Sequence, residues 1–378
     1  NTPVPLSFAL LHSDGTAELF VAPEKLTPDV QTHLGNQVTV RRYDELTEQL
    51  SALSGKKVAV DPERSVAAIA QALKAGGAEI VAMRDPSILP KAIKNATEIA
   101  GAKAAHQRDG VAMVRFLAWL DAAAPQGALT EIDVVTALEG FRTQTNALRD
   151  ISFETIAGAG PNAAIVHYRV DENTNRPVKL DELLLVDSGG QYIDGTTDIT
   201  RTIAIGTPSD DHRQCYTRVL QGMIAVSRIR FPKGVGGQHL DALARAPLWL
   251  AGLDYDHGTG HGVGVFLGVH EGPQRISKAP NTIALQPGMI VSNEPGYYKT
   301  DAFGIRIENL QYVTAPDAIK DGERDMMGFH TLTLAPINTA LIDEDLLDAA
   351  ETTWLNAYHG RVLREIGPLV DGDVKDWL

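Results

Sequence analysis

The chain has 378 residues, 44% of them apolar and 22% charged, long enough for two domains and ordinary for a globular protein. Its formal charge of −14 argues against nucleic acid and anionic membrane as main partners, and no apolar run approaches the ~18 residues of a membrane helix. The single cysteine, Cys215, excludes an internal disulfide and fits a reducing, cytoplasmic compartment.

The start, "NTPVPLSFALLHSDG", has no basic segment leading into an apolar core, so no signal peptide is expected; the missing initiator Met points to processing or trimming. Residues 5–22 read as a hairpin around Asp14-Gly15. There follow a helix in "DELTEQLSAL", a strand "KKVAVD", a helix "SVAAIAQALKAG" and a strand "EIVAM". Prolines in "RDPSILP" mark a linker, which divides the chain into a small α/β accessory domain, 1–86, and a larger domain, 87–378. Nothing in the first domain pairs acids, histidines or glycines in a catalytic pattern.

After Lys91 the texture changes. "NATEIAGAKAAHQRDGVAMVRFLAWLDA" is apolar at helical spacing, with Asn95 and Glu98 placed as a capping box; Thr130 and Asp133 repeat the device in "TEIDVVTALEGFRTQT". Short strands are expected at 151–158, 163–168, 183–189 and 197–205. A helix over "DHRQCYTRVLQGMIAVSRIRF" and a second one broken by Pro247 come next. Strands near 263–270, 288–294, 304–313 and 331–336 follow, and a helical tail, 343–378, caps the domain.

Four stretches carry unusual chemistry. In "VDSGGQYIDGTTDITRT", 186–202, alternation puts Asp198, Thr200 and Thr202 on one strand face and Ile199, Ile203 and Ile205 on the other. "HGTGHGVGVFLGVHEGP", 257–273, offers His257, His261 and His270 among glycines that let backbone approach closely. "GMIVSNEPGYY", 288–298, is a strand ending on Glu294. In "FGIRIENLQYV", 303–313, Arg306 and Glu308 share a face.

Each piece alone has an ordinary reading, as a turn aspartate, a loop histidine, a strand-end charge or a surface ion pair worth little. Together they place Asp187, Asp198, Glu294 and Glu308 in or at the ends of apolar strands expected to share one sheet. Two unit charges ~4 Å apart repel by roughly 4 kcal/mol at an effective dielectric near 20. Summed over every pair, four such carboxylates would rival the stability of a whole domain. Either they protonate or cations neutralise them, and two divalent cations balance four carboxylates. An oxygen-rich set completed by one imidazole suits Mn2+, with Co2+ or Zn2+ as alternatives, and such a pair of ions is hydrolytic machinery.

These four stretches, with "GPNAAIVHY" and "LTLAPI", resemble the aminopeptidase P (Xaa-Pro aminopeptidase) branch of the M24 metallopeptidases. The likeness is strong over 91–340 and weaker ahead of it. It implies an α+β fold: a pita-bread catalytic domain, with paired helices and pseudo-two-fold strands, preceded by the small α/β domain. It implies a metal-dependent aminopeptidase that hydrolyses the N-terminal Xaa-Pro bond through a hydroxide shared by two divalent ions. Asp187 holds one metal, Asp198 and Glu308 bridge both, and His261 and Glu294 complete the other. Catalytic roles fall to Glu294 as proton shuttle and to His167 and His270, and substrate binding to His167, His257, His270 and Arg306. Substrates are peptides with proline second, and a homodimer is expected. Longer members carry a further α/β domain, so this chain reads as a fragment or a shortened relative.

An Xaa-Pro bond lacks an N–H and its ring fixes the chain direction, so a specialised pocket is needed. His257 and His270 with Tyr297 or Tyr298 are candidates for its wall, though either tyrosine reads equally well as a core aromatic. The alternatives are a prolidase-like dipeptidase, a peptide-binding relative without hydrolysis, and metal-free creatinase-like chemistry. The last two should lack ligands that are all present here.

Overall fold

The computed structural model describes residues 2–378. The chain divides into two compact units, residues 3–88 and residues 89–378 with Thr2.

In the first unit Ser7–Leu11 and Ala17–Val21 form the expected hairpin. Gly15 takes φ 89°, and the Asp14 carboxylate accepts the Thr16 amide at 2.9 Å and the Thr16 hydroxyl at 2.7 Å, closing the turn. Val38–Arg42 adds in parallel. Lys57–Val60 and Glu79–Ala82 pair in parallel, joined by the helix Ala67–Ala75, which buries Ala72 and Leu73 beside Leu50.

The second unit holds two pairs of helices. Ala96–Ala123 starts on the Asn95–Glu98 capping box and Glu131–Thr143 on the Thr130–Asp133 box, so both local signals operate as expected. Their apolar faces cover a sheet ordered Ile199–Ile205, Glu182–Ser188, Ile156–Ala159, antiparallel throughout. Strand alternation then sorts the side chains. Leu184, Val186, Ile199, Ile203 and Ile205 enter that core, while Asp187 and Thr200, opposite each other in register, face away from it.

The other pair is Asp210–Arg228 and Asp241–Trp249. The second helix contains Pro247 and runs two residues past it, so the expected break falls at the helix end. Strands Ile290–Asn293 and Asn309–Val313 pair antiparallel, as do Gly296–Lys299 and Phe303–Arg306. The tail helix Ala349–Ile366 begins on an Asp348–Glu351 box and buries Leu355, Tyr358, Val362 and Ile366.

Several expectations need correction: the strand expected at 331–336 is Phe329–Thr331 instead, and those at 151–158 and 304–313 each divide in two, into Asp150–Ile151 with Ile156–Ala159 and Phe303–Arg306 with Asn309–Val313. The acid-bearing strands do not form one sheet; they fall into three small ones. Residues 163–168 are the end of a 3-10 turn, Gly160–Ala164, followed by a reverse turn, with Asn162 and Tyr168 bonded to Glu131 instead of the segment pairing with a neighbouring strand. Residues 263–270 form a glycine-rich loop after the two-residue strand Gly260–His261, with Gly264 N–H closing on Gly268 O at 2.9 Å.

Candidate metal centre and substrate cleft

Five side chains from five segments converge. Asp187 lies near the end of Glu182–Ser188, Asp198 one residue before Ile199–Ile205, and His261 ends Gly260–His261. Glu294 follows Ile290–Asn293, and Glu308 sits between Phe303–Arg306 and Asn309–Val313. One ligand atom from each of Asp198, His261 and Glu308 lies within 4.8 Å of the others. His261 Nε2 stands 3.5 Å from Asp198 Oδ2 and 3.3 Å from Glu294 Oε1. Its Nδ1 is 3.0 Å from Gly262 O, which can only accept, so the neutral ring carries its proton there and turns an Nε2 lone pair inward.

Asp187, Asp198 and Glu308 are buried, and among the described residues Asp187 Oδ1 and Glu308 Oε1 have no hydrogen-bond partner. Burial pushes Asp198 and Glu308 well above the ordinary carboxylate range; Asp187 and Glu294 add to the shift of Asp198, and Asp198 and Glu294 to that of Glu308. Glu294 is raised by burial too. Orphaned inward-facing oxygens beside an imidazole lone pair fit divalent cations, with the oxygen-rich donor set of a hard or borderline metal.

A hydrogen-bonded layer aims these groups. Arg306 NH2 donates to Asp187 Oδ2 at 2.6 Å and its Nε to Thr200 Oγ1 at 3.1 Å, while Thr200 Oγ1 donates to Glu308 Oε2 at 2.8 Å. Tyr298, Asp187 and Glu294 keep the Arg306 guanidinium charged although burial opposes it. Ser292 Oγ donates to Glu294 Oε1 at 3.0 Å and accepts the His261 amide at 2.9 Å. Arg201, 1% exposed, donates to Glu308 O at 2.7 Å and to Asn309 Oδ1 at 2.9 Å. Sequence reading placed Thr200 on the face of Asp198 but passed over Ser292 and Arg201. Ser292 was within reach, being two residues before Glu294 and therefore on its face; Arg201 stands in an apolar strand face with no local signal.

The centre opens into a cavity of about 800 Å³ lined by Asp187, Asp198, His261, Glu294, Arg306 and Glu308, and also by His167, His257 and His270. His257 Nε2 is 2.9 Å from Tyr298 Oη, which accepts from Arg306 NH1 at 2.7 Å, so a continuous chain links this wall to Asp187. Burial, with the Arg306 charge beside it, pulls His257 down to about 4; burial also pushes Tyr298 up to about 12. The His270 ring meets that of His261 edge-on at 4.3 Å. Burial, then the neighbouring His261, lowers His270 to about 4 as well, so it is neutral at pH 7. Tyr297 packs instead against the core of the helix Asp210–Arg228 and the strand Phe303–Arg306. Tyr298 packs against that core as well, and differs from Tyr297 in the hydrogen bonds of its hydroxyl to His257 and Arg306.

Comparison with known proteins accords with this geometry. Residues 100–315 match metallopeptidase family M24, preceded by a creatinase/prolidase N-terminal domain over 1–98 and followed by the M24 C-terminal region over 325–378. The chain belongs to metallopeptidase family M24, and its second unit has that family's pita-bread fold. Aminopeptidase P2 of Arabidopsis thaliana is 41% identical over 100% of this chain and 58% of its own length. Xaa-Pro aminopeptidase 1 of Dictyostelium discoideum is 42% identical over 98% of this chain and 59% of its own. The X-prolyl aminopeptidase of Caenorhabditis elegans, described as a cytosolic enzyme with a di-nuclear active site, superposes with a TM-score of 0.93 at 34% identity, covering 100% of this chain and 63% of that one. An Xaa-Pro dipeptidase from Bacillus anthracis superposes at 0.71 with 26% identity, covering 88% of each chain. The chain spans about three fifths of the length of the curated relatives it matches.

Proposed function

We propose that the chain is an aminopeptidase that hydrolyses the N-terminal Xaa-Pro bond of peptides, using two divalent ions, preferably Mn2+, held by Asp187, Asp198, His261, Glu294 and Glu308. The observation that carries this reading is the convergence of buried acids on one imidazole, with two carboxylate oxygens unpartnered among the described residues. When bound, the ions supply Lewis acidity that activates water and polarises the scissile carbonyl.

The chain's own residues do the rest. Glu294, raised above its ordinary range and steadied by Ser292, takes the proton of the attacking water and passes it to the proline nitrogen. That nitrogen carries no hydrogen in the substrate, so departure requires protonation. His270, neutral at pH 7, donates an N–H towards the scissile carbonyl oxygen. His257, braced by Tyr298, walls the proline ring, and His167 contacts the peptide across the cavity. Arg306 holds Asp187 and, through Thr200, Glu308 at fixed angles.

The prolidase-like alternative needs a site closed around a dipeptide. Relatives named as aminopeptidases at 41–42% identity, against 26% for the Xaa-Pro dipeptidase, favour the aminopeptidase. The test is metal analysis of the purified protein with cleavage of Xaa-Pro and Xaa-Pro-Xaa substrates. Activity confined to dipeptides would select prolidase chemistry, and absence of metal dependence would remove the proposal. Likeness to a cytosolic enzyme and a buried single cysteine support a cytosolic location.

A further inference from the structure

His167 projects into the cleft, and among the described residues no hydrogen bond restrains its imidazole. Its position therefore depends on its backbone. That backbone is a tight turn: Ile165 N–H donates to Asn162 O at 3.1 Å and Tyr168 N–H to Ile165 O at 3.0 Å. Both ends of the turn are tied to one carboxylate. Asn162 Nδ2 reaches both oxygens of Glu131 at 3.0 Å, and Tyr168 Oη donates to Glu131 Oε2 at 2.8 Å. The Ala159 amide donates to Oε1 at 2.7 Å and the Arg176 amide to Oε2 at 3.2 Å, which fixes the end of the strand Ile156–Ala159 before the turn and the loop after it.

Glu131 is the first residue of the helix Glu131–Thr143 and is 0% exposed. A fully buried carboxylate is costly unless its lone pairs are satisfied, and here four donor groups satisfy them. The adjoining Thr130–Asp133 box already caps the helix, so the helix has no need of Glu131 for that purpose. All four donors belong to the segment that carries His167.

We propose that Glu131 is a positioning residue: it sets the His167 turn and thereby the fit of the peptide in the cleft. This rests on the Xaa-Pro reading for its kinetic test, though not for its spectroscopic one. Glutamine at 131 retains the shape but offers one acceptor oxygen. Its amide must oppose the donors on one side, either Ala159 and Asn162 or Tyr168 and Arg176, so one end of the turn is released.

The experiment is a double-mutant cycle on the Mn2+-loaded protein with an Xaa-Pro-Xaa peptide. Glu131→Gln should lower kcat/KM about tenfold, mainly through KM, with metal content unchanged. In a His167→Ala background the same change should cost less than about twofold, because the residue it positions is gone. Tyr168→Phe, which removes one donor and keeps the ring, should act in the same direction by about threefold and serves if Glu131→Gln does not fold. In parallel, the imidazole NMR signals of His167, assigned by their loss in His167→Ala, should shift or broaden in Glu131→Gln or Tyr168→Phe while those of remote His330 stay. Losses that multiply independently of His167, or an unmoved His167 signal, overturn the inference. A wild type inert on Xaa-Pro peptides sinks the proposed activity instead, leaving the NMR comparison to decide the positioning role.

Discussion

Two regions of the second unit bury carboxylates and treat them in opposite ways. Behind the centre, Asp109 is paired with Arg142 Nε at 2.8 Å and accepts Tyr192 Oη at 2.9 Å; beside the cleft, Asp241 is paired with Arg245 Nε at 2.7 Å. Burial alone would raise Asp109, yet Arg142 holds its carboxyl below the ordinary range. At the centre a single guanidinium, Arg306, meets Asp187, while Asp198, Glu294 and Glu308 face one another and His261. Equal burial gives opposite shifts, so partners and not depth decide the charge state. Where the chain means a carboxylate to be structural it supplies the cation itself. Where it does not, an external cation is called for.

That contrast can be broken at several points. The largest effect is expected from Glu294→Gln, which should lower turnover by at least ~10³-fold while the circular dichroism spectrum stays native; retained turnover would remove Glu294 as shuttle. Next, stripping metal with a chelator should abolish activity and lower the melting temperature, by the equivalent of ~4 kcal/mol for ions present at about 1,000 times their Kd. Mn2+ should restore activity better than Mg2+, and His261→Ala should reduce bound metal, read by elemental analysis.

The two kinds of buried acid should then respond with opposite sign in metal-free protein. Arg245→Met strands Asp241 without its cation and should cost ~3–5 kcal/mol in urea unfolding. Asp198→Asn relieves repulsion and should be neutral or stabilising by about 1 kcal/mol, while destroying metal binding. Equal destabilisation by both would erase the distinction.

The smallest effect is a pH slope. His257 takes its proton only near pH 4 when folded but at about 6.5 when unfolded. Between those values the unfolded chain binds more protons, so this group's contribution is intact above about pH 6.5 and lost as pH falls towards 4. Wild type minus His257→Gln stability should therefore shrink by on the order of 1 kcal/mol from pH 7 to pH 5; a constant difference would contradict the buried, neutral imidazole.

Much of the centre was legible in the chain because metal chemistry restricts ligand types. Asp187 and Asp198 in apolar strands, Glu294 at a strand end and Glu308 two residues beyond Arg306 are conspicuous, since buried acids are rare without a reason. Capping boxes at Asn95 and Thr130 were equally readable, their hydrogen bonds being local. What escaped reading were contacts between distant segments. Glu131 looked like the first residue of a capped helix, and nothing near it signals donors 28, 31, 37 and 45 residues away. Residues 163–168 look like a strand by pattern, yet that carboxylate draws them into a turn.

Residue chemistry alone thus marked out the acids proposed as cation ligands, where helices start and which strand faces are apolar, because each follows from periodicity or from a charge too costly to bury unpaired. Only the tertiary arrangement decided that the acids come from three separate sheets, that the Tyr298 hydroxyl links His257 to Arg306, and that a buried glutamate holds the turn carrying His167. Those outcomes depend on hydrogen bonds whose partners meet only once the chain has closed, and no local pattern encodes a partner's distance.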